Sequence, residues 1–476
     1  MLEVYIIMIQ NPPGGFQSPG SRRAEPPGVA LSSVSLWVII RWKKVGTDRA
    51  RTSSREVFGN QMSVKKQVDE QIEIITSGAV EVIPEDEMRA KVERSILMNK
   101  PLIVKLGVDP TRPDLHIGHS VPLNKLRHFQ ELGHQVVLII GDFTALIGDP
   151  SEQDATRPVL TPEEVERNAL TYIDQAQKII DTRRARLVRN GEWLAPLNFK
   201  DILSLTSKFT VARIMERDDF RRRFREEKPL GLHEFLYPVM QAYDSVILCA
   251  DVEIGGTDQT FNLLAGRNLQ RAMGQEPQVV LTLPLLEGTD GVQKMSKSLG
   301  NDVGLTDNAD DMFGKLMSIP DAVMWRYFEL VTRLNAEEIA SLSSEVDSGV
   351  LNPRDAKEKL AREVVAIYHG PEAAASSAEE FRRVFSHKGL PQEIPVESVP
   401  ADSFTDGLVW VVDLLMSVGL APSKGEARRL IAGGGITIDG EKVNDPDLEL
   451  SAEEVNGKVF RKGKKTFVKI QINGIS

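Results

Sequence analysis

The chain has 476 residues, room for about three domains at roughly 150 residues each. Hydrophobic content of 41% and charged content of 26% describe an ordinary globular protein. The net charge of -10 excludes an overall electrostatic grip on nucleic acid, so RNA contacts must come from local basic patches. A single cysteine, Cys249, excludes a disulfide framework or thiolate metal site; set in an apolar run, it is expected to be buried. No apolar stretch approaches the roughly 20 residues that span a bilayer.

Residues 1–61 differ from everything after them. Pro12, Pro13, Gly14, Gly15, Pro19, Pro26 and Pro27 interrupt any periodicity, while Arg22, Arg23, Arg41, Lys43, Lys44, Arg49 and Arg51 outnumber the acids. Leu36 to Ile40 is too short, and too far from the start, for the apolar core of a secretory signal. A disordered or misassigned extension is expected, with the functional protein beginning at Met62. An organelle transit peptide is the other reading, disfavoured because prolines and glycines spoil the amphipathic helix it needs.

Leu102 to Val108, bounded by Pro101 and Asp109-Pro110, is an apolar run of strand length. A helix should follow, turning Val121, Leu123, Leu126 and Phe129 to a core and ending at Gly133. Val136 to Ile140 is a second apolar strand, stopped by Gly141 and Asp142. Strand, loop, helix, strand is a βαβ unit, which implies an α/β fold with a parallel sheet covered on both faces. Ligands of such sheets sit beyond the carboxyl ends of the strands, where Asp109 to His119 falls.

Further along, Thr161-Pro162-Glu163-Glu164 places a hydroxyl at N-cap, proline at N1 and glutamate at N3 of a helix. Asn352-Pro353 opens another, with Leu360, Val364 and Ile367 on one face before Gly370. Thr306 to Phe385 reads almost entirely helical. Pro391, Pro395 and Pro400 then mark a linker over 386–406, ahead of a small C-terminal unit.

Two segments carry chemistry. His116-Ile117-Gly118-His119 stands between a strand and a helix, where imidazoles and backbone N–H groups can stabilise charge building on a phosphate. Asp109 and Thr111 could serve the same nucleotide or simply form a turn. Lys294-Met295-Ser296-Lys297-Ser298, flanked by Gly288, Gly291 and Gly300, presents two ammonium groups on a loop expected to be mobile enough to close on a ligand. Either segment alone has a bland reading, a structural histidine pair or a solvated charge run. Together, and in this order, they describe a site that holds a nucleotide triphosphate and activates a carboxylic acid.

These two motifs stand unaltered as the signatures of the class I aminoacyl-tRNA synthetases, which the chain resembles. More narrowly it is similar to the tyrosyl family of bacterial type, over about Val64 to Ile470. The resemblance implies a Rossmann-like catalytic domain over 62–305 with inserted connective helices, an α-helical domain over 306–385, and a small α+β RNA-binding domain over 407–476. Catalysis would rest on His116, His119, Lys294 and Lys297, the histidines stabilising the transition state and the lysines the departing pyrophosphate. The ATP site would comprise Asp109, Thr111, His116, Gly118, His119, Asp258 and Lys297, with Asp258 on the ribose.

For tyrosine, the i, i+4, i+7 face formed by Tyr237, Gln241 and Asp244 carries the specificity. Apolar Leu236, Val239 and Met240 interleave, so polar groups on this buried helix need partners, which a substrate would supply. By resemblance Tyr237 and Gln241 hold the amino group, Asp149 pairs with it, Asp244 accepts from the phenol, and Gln259 lies near the reacting carboxyl.

Two departures from the family pattern stand out. Lys105 occupies a position where many relatives carry a tyrosine that touches the phenol, and Ser151-Glu152-Gln153-Asp154 stands where relatives often have glycine and lysine, leaving Arg157 as the one nearby cation.

The C-terminal unit resembles the RNA-binding domain of a ribosomal small-subunit protein. Ser423 to Leu430 reads as a short basic helix, Ile436 to Ile438 as a strand, Asp439-Gly440 as a hairpin turn, and Arg461, Lys462, Lys464 and Lys465 as further cations. Lys424, Arg428 and Arg429 are the implied RNA contacts, positioning tRNA through phosphates. The family further implies tRNA(Tyr), L-tyrosine and ATP as substrates, Mg²⁺ arriving with ATP, no tightly bound cofactor or resident metal, a cytoplasmic homodimer, and no DNA or membrane partner. The rivals are a tryptophanyl enzyme, a nucleotidyltransferase sharing the histidine motif, and a non-catalytic RNA-binding descendant.

Overall fold

The computed structural model describes residues 49–151, 160–385, 394–463 and 466–473, with side chains from residue 63. Strands β1 (Glu81–Ile83), β2 (Ile103–Val108), β3 (Gln135–Ile140), β4 (Arg186–Arg189), β5 (Val252–Gly256) and β6 (Val279–Leu283) form one sheet in the order β1-β6-β5-β2-β3-β4. All neighbours are parallel except β1, which runs antiparallel to β6 at the edge. The central strands are covered on both faces, which is why β3 is apolar after Gln135 and β6 is apolar but for Thr282.

Helix α1 (Arg49–Thr76) begins ahead of Met62, so its backbone crosses the expected start of the folded protein; residues 1–48 lie outside the described residues. Helix α2 (Glu85–Met98) follows β1, and α3 (Ile117–Glu131) follows β2. Val121, Leu123, Leu126 and Phe129 of α3 are buried as the periodicity requires, and Gly133 turns the chain back with φ +88°. A short helix, α4 (Thr144–Ile147), and then α5 (Pro162–Ala176) come next. At the start of α5 the Thr161 hydroxyl accepts from Glu164 N–H (3.3 Å) while Glu164 accepts from Thr161 N–H (2.9 Å), the expected reciprocal cap.

Helices Ala309–Met317, Asp321–Val331, Ala336–Asp347, Pro353–His369 and Pro371–Phe385 fill the region read as helical. Their buried face is continuous with the sheet: Met312, Phe313, Tyr327, Phe328, Leu360 and Val364 share one core with Val104 of β2, Leu281 of β6 and Phe129. Lys125, buried in α3, donates to the carbonyls of Ile74 (3.0 Å) and Ser77 (2.5 Å) and so ties the end of α1 to the same core.

The C-terminal unit has its own core, built from Val411, Leu415, Ile431, Phe460 and Ile470 among others. Strands β7 (Val396–Pro400), β8 (Leu408–Trp410), β9 (Ile436–Ile438), β10 (Glu441–Lys442), β11 (Glu449–Ser451), β12 (Val459–Lys462) and β13 (Thr466–Asn473) make a five-stranded sheet, β10-β9-β12-β13-β7, and a two-stranded one, β11-β8. The expected linker over 386–406 is corrected at residues 396–400, while 386–393 lie outside the described residues. Residues 396–400 pair in parallel with β13 as an edge strand. Pro395 stands just before it, its carbonyl accepting from Lys469 N–H (2.8 Å), and Pro400 closes it. An edge strand can do without the missing proline N–H groups, so prolines there read falsely as linker. Pro391, Lys464 and Lys465 lie outside the described residues. Asp439 and Gly440 both take positive φ (49° and 90°), as the tight hairpin between β9 and β10 demands.

Cys249 is a second correction: it is exposed, not buried. It caps the Tyr237–Leu248 helix in the left-handed conformation (φ 49°), which turns its side chain off the apolar face of the helix that precedes it. No helix among the described residues is long and apolar enough to cross a membrane.

Candidate active site

A cavity of about 810 Å³ opens at the carboxyl ends of β2, β3 and β5, and every residue predicted for ATP or tyrosine lines it. The two signatures, separated by most of the domain, meet there. Ile117 N–H donates to the Val303 carbonyl (2.9 Å) and Leu305 N–H to that of Leu115 (2.9 Å), latching the first signature to the segment just after the second. Lys297 Nζ reaches Asp114 (2.8 Å) in the loop ahead of His116. Met295 is buried, its N–H donating to Leu286 (2.8 Å), and Asn301 accepts from Ser296 N–H (2.8 Å) while donating to Asp290 (2.8 Å) and the Lys294 carbonyl (3.2 Å). These bonds anchor the loop at Met295, Ser296 and Lys297 beside the site.

The two histidine rings lie against each other, tilted by 46°, with centroids 3.9 Å apart. His119 Nδ1 accepts the backbone N–H of His116 (3.2 Å). Burial, reinforced by His119, Lys297 and Arg112, pushes His116 down to about 3. His119 keeps an open side toward the cavity, yet the protein packed behind it brings it down to about 4. Both rings are therefore neutral at pH 7. Gly118 is required by the fold of the His116 ring over it: a Cβ would stand 2.9 Å from His116 Nδ1. Lys294 is likewise pushed down by burial, against a smaller opposing pull from Asp149.

At the other end of the cavity, helix Tyr237–Leu248 presents Tyr237, Gln241 and Asp244 as its i, i+4, i+7 spacing predicts. Asp244, 3% exposed, accepts from Trp193 Nε1 (2.8 Å) and Asn190 Nδ2 (3.3 Å). Burial pushes its carboxyl up to about 7, while the Lys105 charge and these two donors pull the other way. Asp149 follows α4 at Gly148. One of its oxygens accepts from Ser151 N–H (2.9 Å) and Oγ (2.7 Å), and the other from Gln259 Nε2 (2.8 Å). Buried Arg217 stands behind it, 3.9 Å away, held by Asp219 and by Asn262 (2.6 Å). Gln259 also donates to Asp258 (3.1 Å), so the three side chains form one polar cluster.

Asp109 lines the cavity beside the tyrosine helix. Its carboxylate accepts from Thr144 Oγ1 (2.7 Å) and from the Tyr237 hydroxyl (2.8 Å), joining it to the tyrosine helix, and burial pushes it up to about 7. Thr111 shares a hydrogen bond with the Tyr172 hydroxyl. Gly141 lies against the Asp109 and Thr144 oxygens so closely that a Cβ there would overlap both. Gly141→Ala should therefore destabilise the fold by about 1–3 kcal/mol through overpacking; an unchanged denaturation midpoint would refute this.

Lys105 does not line the cavity but pairs with Glu253 (2.6 Å). Glu152, Gln153, Asp154 and Arg157 lie outside the described residues. Among the described residues Arg112, in the turn after Pro110, is a further cation that lines the cavity. Sequence reading missed Arg112, Asn190, Trp193, Arg217 and Glu253. A turn residue before the first signature was the available signal for Arg112; the others carry none.

In the C-terminal unit, helix Lys424–Ala432 is capped by Ser423 and bears the three predicted RNA contacts. Lys424 Nζ and the Arg428 guanidinium lie 5.0 and 4.9 Å from the Trp410 ring, which fixes both cationic heads. Lys424 also pairs with Asp413 (2.7 Å), and Arg429 with Glu426 (2.9 Å).

A parallel sheet with a nucleotide-sized cavity at its carboxyl edge, lined by both signatures, defines a class I tRNA synthetase. The family model described as tRNA synthetases class I (W and Y) matches residues 97–386, and that of the tyrosine–tRNA ligase SYY-like C-terminal domain matches residues 392–470. A tyrosine–tRNA ligase of Moorella thermoacetica is 51% identical over 415 residues, 87% of this chain and 99% of the relative. One from Thermotoga maritima is 49% identical over 402 residues, 84% and 97% of the two chains. The chain belongs to the tyrosine–tRNA ligase family. Among solved structures, a C-terminally truncated mitochondrial tyrosyl-tRNA synthetase of Coccidioides posadasii aligns with TM-score 0.55 at 22% identity, over 70% of this chain and 100% of that one. A tyrosyl-tRNA synthetase of Archaeoglobus fulgidus, complexed with L-tyrosine, aligns with TM-score 0.52 at 24% identity, over 65% and 99%. At these identities the likeness speaks for the fold.

Proposed function

We infer that the cavity joins L-tyrosine to ATP and that the same chain passes the tyrosyl group to tRNA. The tyrosine carboxylate attacks the α-phosphate, forming tyrosyl-adenylate and pyrophosphate; the terminal ribose hydroxyl of tRNA then takes the tyrosyl group. The observation that carries the reading is the meeting of both signatures and the Tyr237, Gln241, Asp244 face in one cavity. The phosphates lie between His116 and His119 on one side and Lys294 and Lys297 on the other, with the ribose at Asp258. No side chain acts as a covalent nucleophile. Positioning and stabilisation of phosphate charge supply the rate. Mg²⁺ enters bound to ATP phosphates, as that ion usually does.

The tyrosine ring points toward Asp244, and its ammonium sits between Asp149, Gln241 and Tyr237. Asp109 acts from behind, fixing the Tyr237 hydroxyl. Phe199, Leu203, Val211, Phe224 and Leu232 are all exposed between positions 199 and 232, apolar side chains that a second copy of the chain would cover. A cytoplasmic homodimer is the corresponding assembly.

Charging of tRNA with radiolabelled tyrosine tests this function; charging with tryptophan in its place would overturn it. For the C-terminal unit, Arg428→Ala should raise KM for tRNA and lower the salt slope of tRNA binding by about one, the mark of one lost phosphate contact. Pyrophosphate exchange, which needs no tRNA, should keep its rate. An unchanged salt slope would remove Arg428 from the RNA contact.

A further inference from the structure

We propose that the buried ion pair of Lys105 and Glu253 acts through Gln241 to fix which end of that amide meets the substrate, making Lys105 a positioning residue for the ammonium of tyrosine. The proposal rests on the reading of the cavity as a tyrosine site. Lys105 and Glu253 stand directly opposite on neighbouring strands β2 and β5. Both side chains are 1% exposed, with Nζ 2.6 Å from Oε1. Charges so deeply buried persist only when paired and hydrogen-bonded.

An ionised carboxylate can only accept hydrogen bonds. Oε1 of Glu253 therefore draws the amide nitrogen of Gln241 (3.1 Å), while Oε2 accepts from Ser245 Oγ (3.2 Å) and from the amide nitrogen of Gln278. With its nitrogen committed to Glu253, Gln241 must turn its carbonyl oxygen the other way. That oxygen is buried and has no hydrogen-bond partner among the described residues, and Gln241 lines the cavity. A buried acceptor lacking a donor is unfavourable until a ligand supplies one, and an ammonium supplies three N–H groups. If the amide were reversed, an N–H would face the ammonium and oppose it. A lysine at position 105, where many relatives place a tyrosine against the phenol, thus works through the ammonium end instead. Its charge also favours the anionic form of Asp244.

The test compares tyrosine with 3-(4-hydroxyphenyl)propanoate, which keeps the phenol and carboxylate and lacks the ammonium. KM for tyrosine and the inhibition constant of the analogue are measured in pyrophosphate exchange for the unmodified chain, Lys105→Met, and the double variant Lys105→Met/Glu253→Gln. The double variant leaves no charge unpaired, which separates the effect from any loss of fold in the single one, and its position-253 amide can donate as well as accept. The preference for tyrosine over the analogue should fall about 10- to 100-fold in either variant, the span of a lost hydrogen bond to a charged group. Equal weakening of both compounds, or of neither, would overturn the proposal, because loss of general packing or of the charge near Asp244 acts on both alike. Absence of tyrosine-dependent exchange in the unmodified chain would instead bring down the tyrosine reading, and the proposal with it.

Discussion

His119→Ala is expected to lower the first-order rate of adenylate formation by about 10²- to 10³-fold, with little change in KM for either substrate. The argument begins with the proton. The ring is neutral, pushed down to about 4, and its Nδ1 accepts the His116 N–H, so its one proton sits on Nε2. A neutral N–H donor held in advance stabilises charge that develops only in the transition state, which is why the loss should fall on kcat. His119→Gln, whose amide nitrogen reaches the place of Nε2, should recover part of the rate. Since kcat/KM reports the free enzyme, the profile for ATP should show no histidine inflection between about pH 5 and 8. An inflection near pH 6.5 that disappears in His119→Ala would contradict the neutral-donor assignment, as would a His119→Ala variant altered only in KM.

Asp244→Ala should erode selectivity for tyrosine over phenylalanine by about 10- to 100-fold, the cost of a hydrogen bond to a charged acceptor. A site built to bond a hydroxyl rejects the analogue without one, a rule for which tyrosine-activating enzymes are the standing example. Here the acceptor is buried and held by Trp193 and Asn190, so phenylalanine would leave it short of a donor. The variant should lose kcat/KM for tyrosine while that for phenylalanine changes little. The acid side of the profile follows from the same geometry. Burial raises Asp244 to about 7, so the anion that accepts from the phenol is present above that pH and is lost as pH falls through it. Asp109, also raised to about 7 and bonded to Tyr237, titrates in the same window, so the two carboxyls act together. Accordingly kcat/KM for tyrosine should decline below about pH 7. Selectivity unchanged in Asp244→Ala would remove it from phenol recognition.

What could be read from the sequence was what local periodicity and capping express. β2, β3, α3 and the Thr161 cap follow from apolar runs and short-range side-chain chemistry, and the Tyr237, Gln241, Asp244 face follows from helical spacing. The two signatures were legible because each is contiguous. What escaped was set by contacts between distant segments. Trp193 and Asn190 reach Asp244 only because β4 delivers the chain beside a helix about fifty residues further on. Glu253 carries no local signal, because its place opposite Lys105 exists only once β5 lies beside β2. β7 was masked by its prolines, and Cys249 by apolar neighbours whose periodicity stops at the helix end. Arg112 in the cavity lining, and the anchoring of the second-signature loop through Asp114, Asn301 and Met295, were likewise beyond the reach of spacing.

The central claim is that one cavity activates tyrosine with ATP, and amino-acid-dependent exchange of pyrophosphate into ATP measures that step without tRNA. Run with tyrosine, tryptophan and phenylalanine at matched concentrations, exchange should be driven by tyrosine, with phenylalanine slower by orders of magnitude and tryptophan inactive. Exchange driven by tryptophan, or by none of the three, would contradict the account.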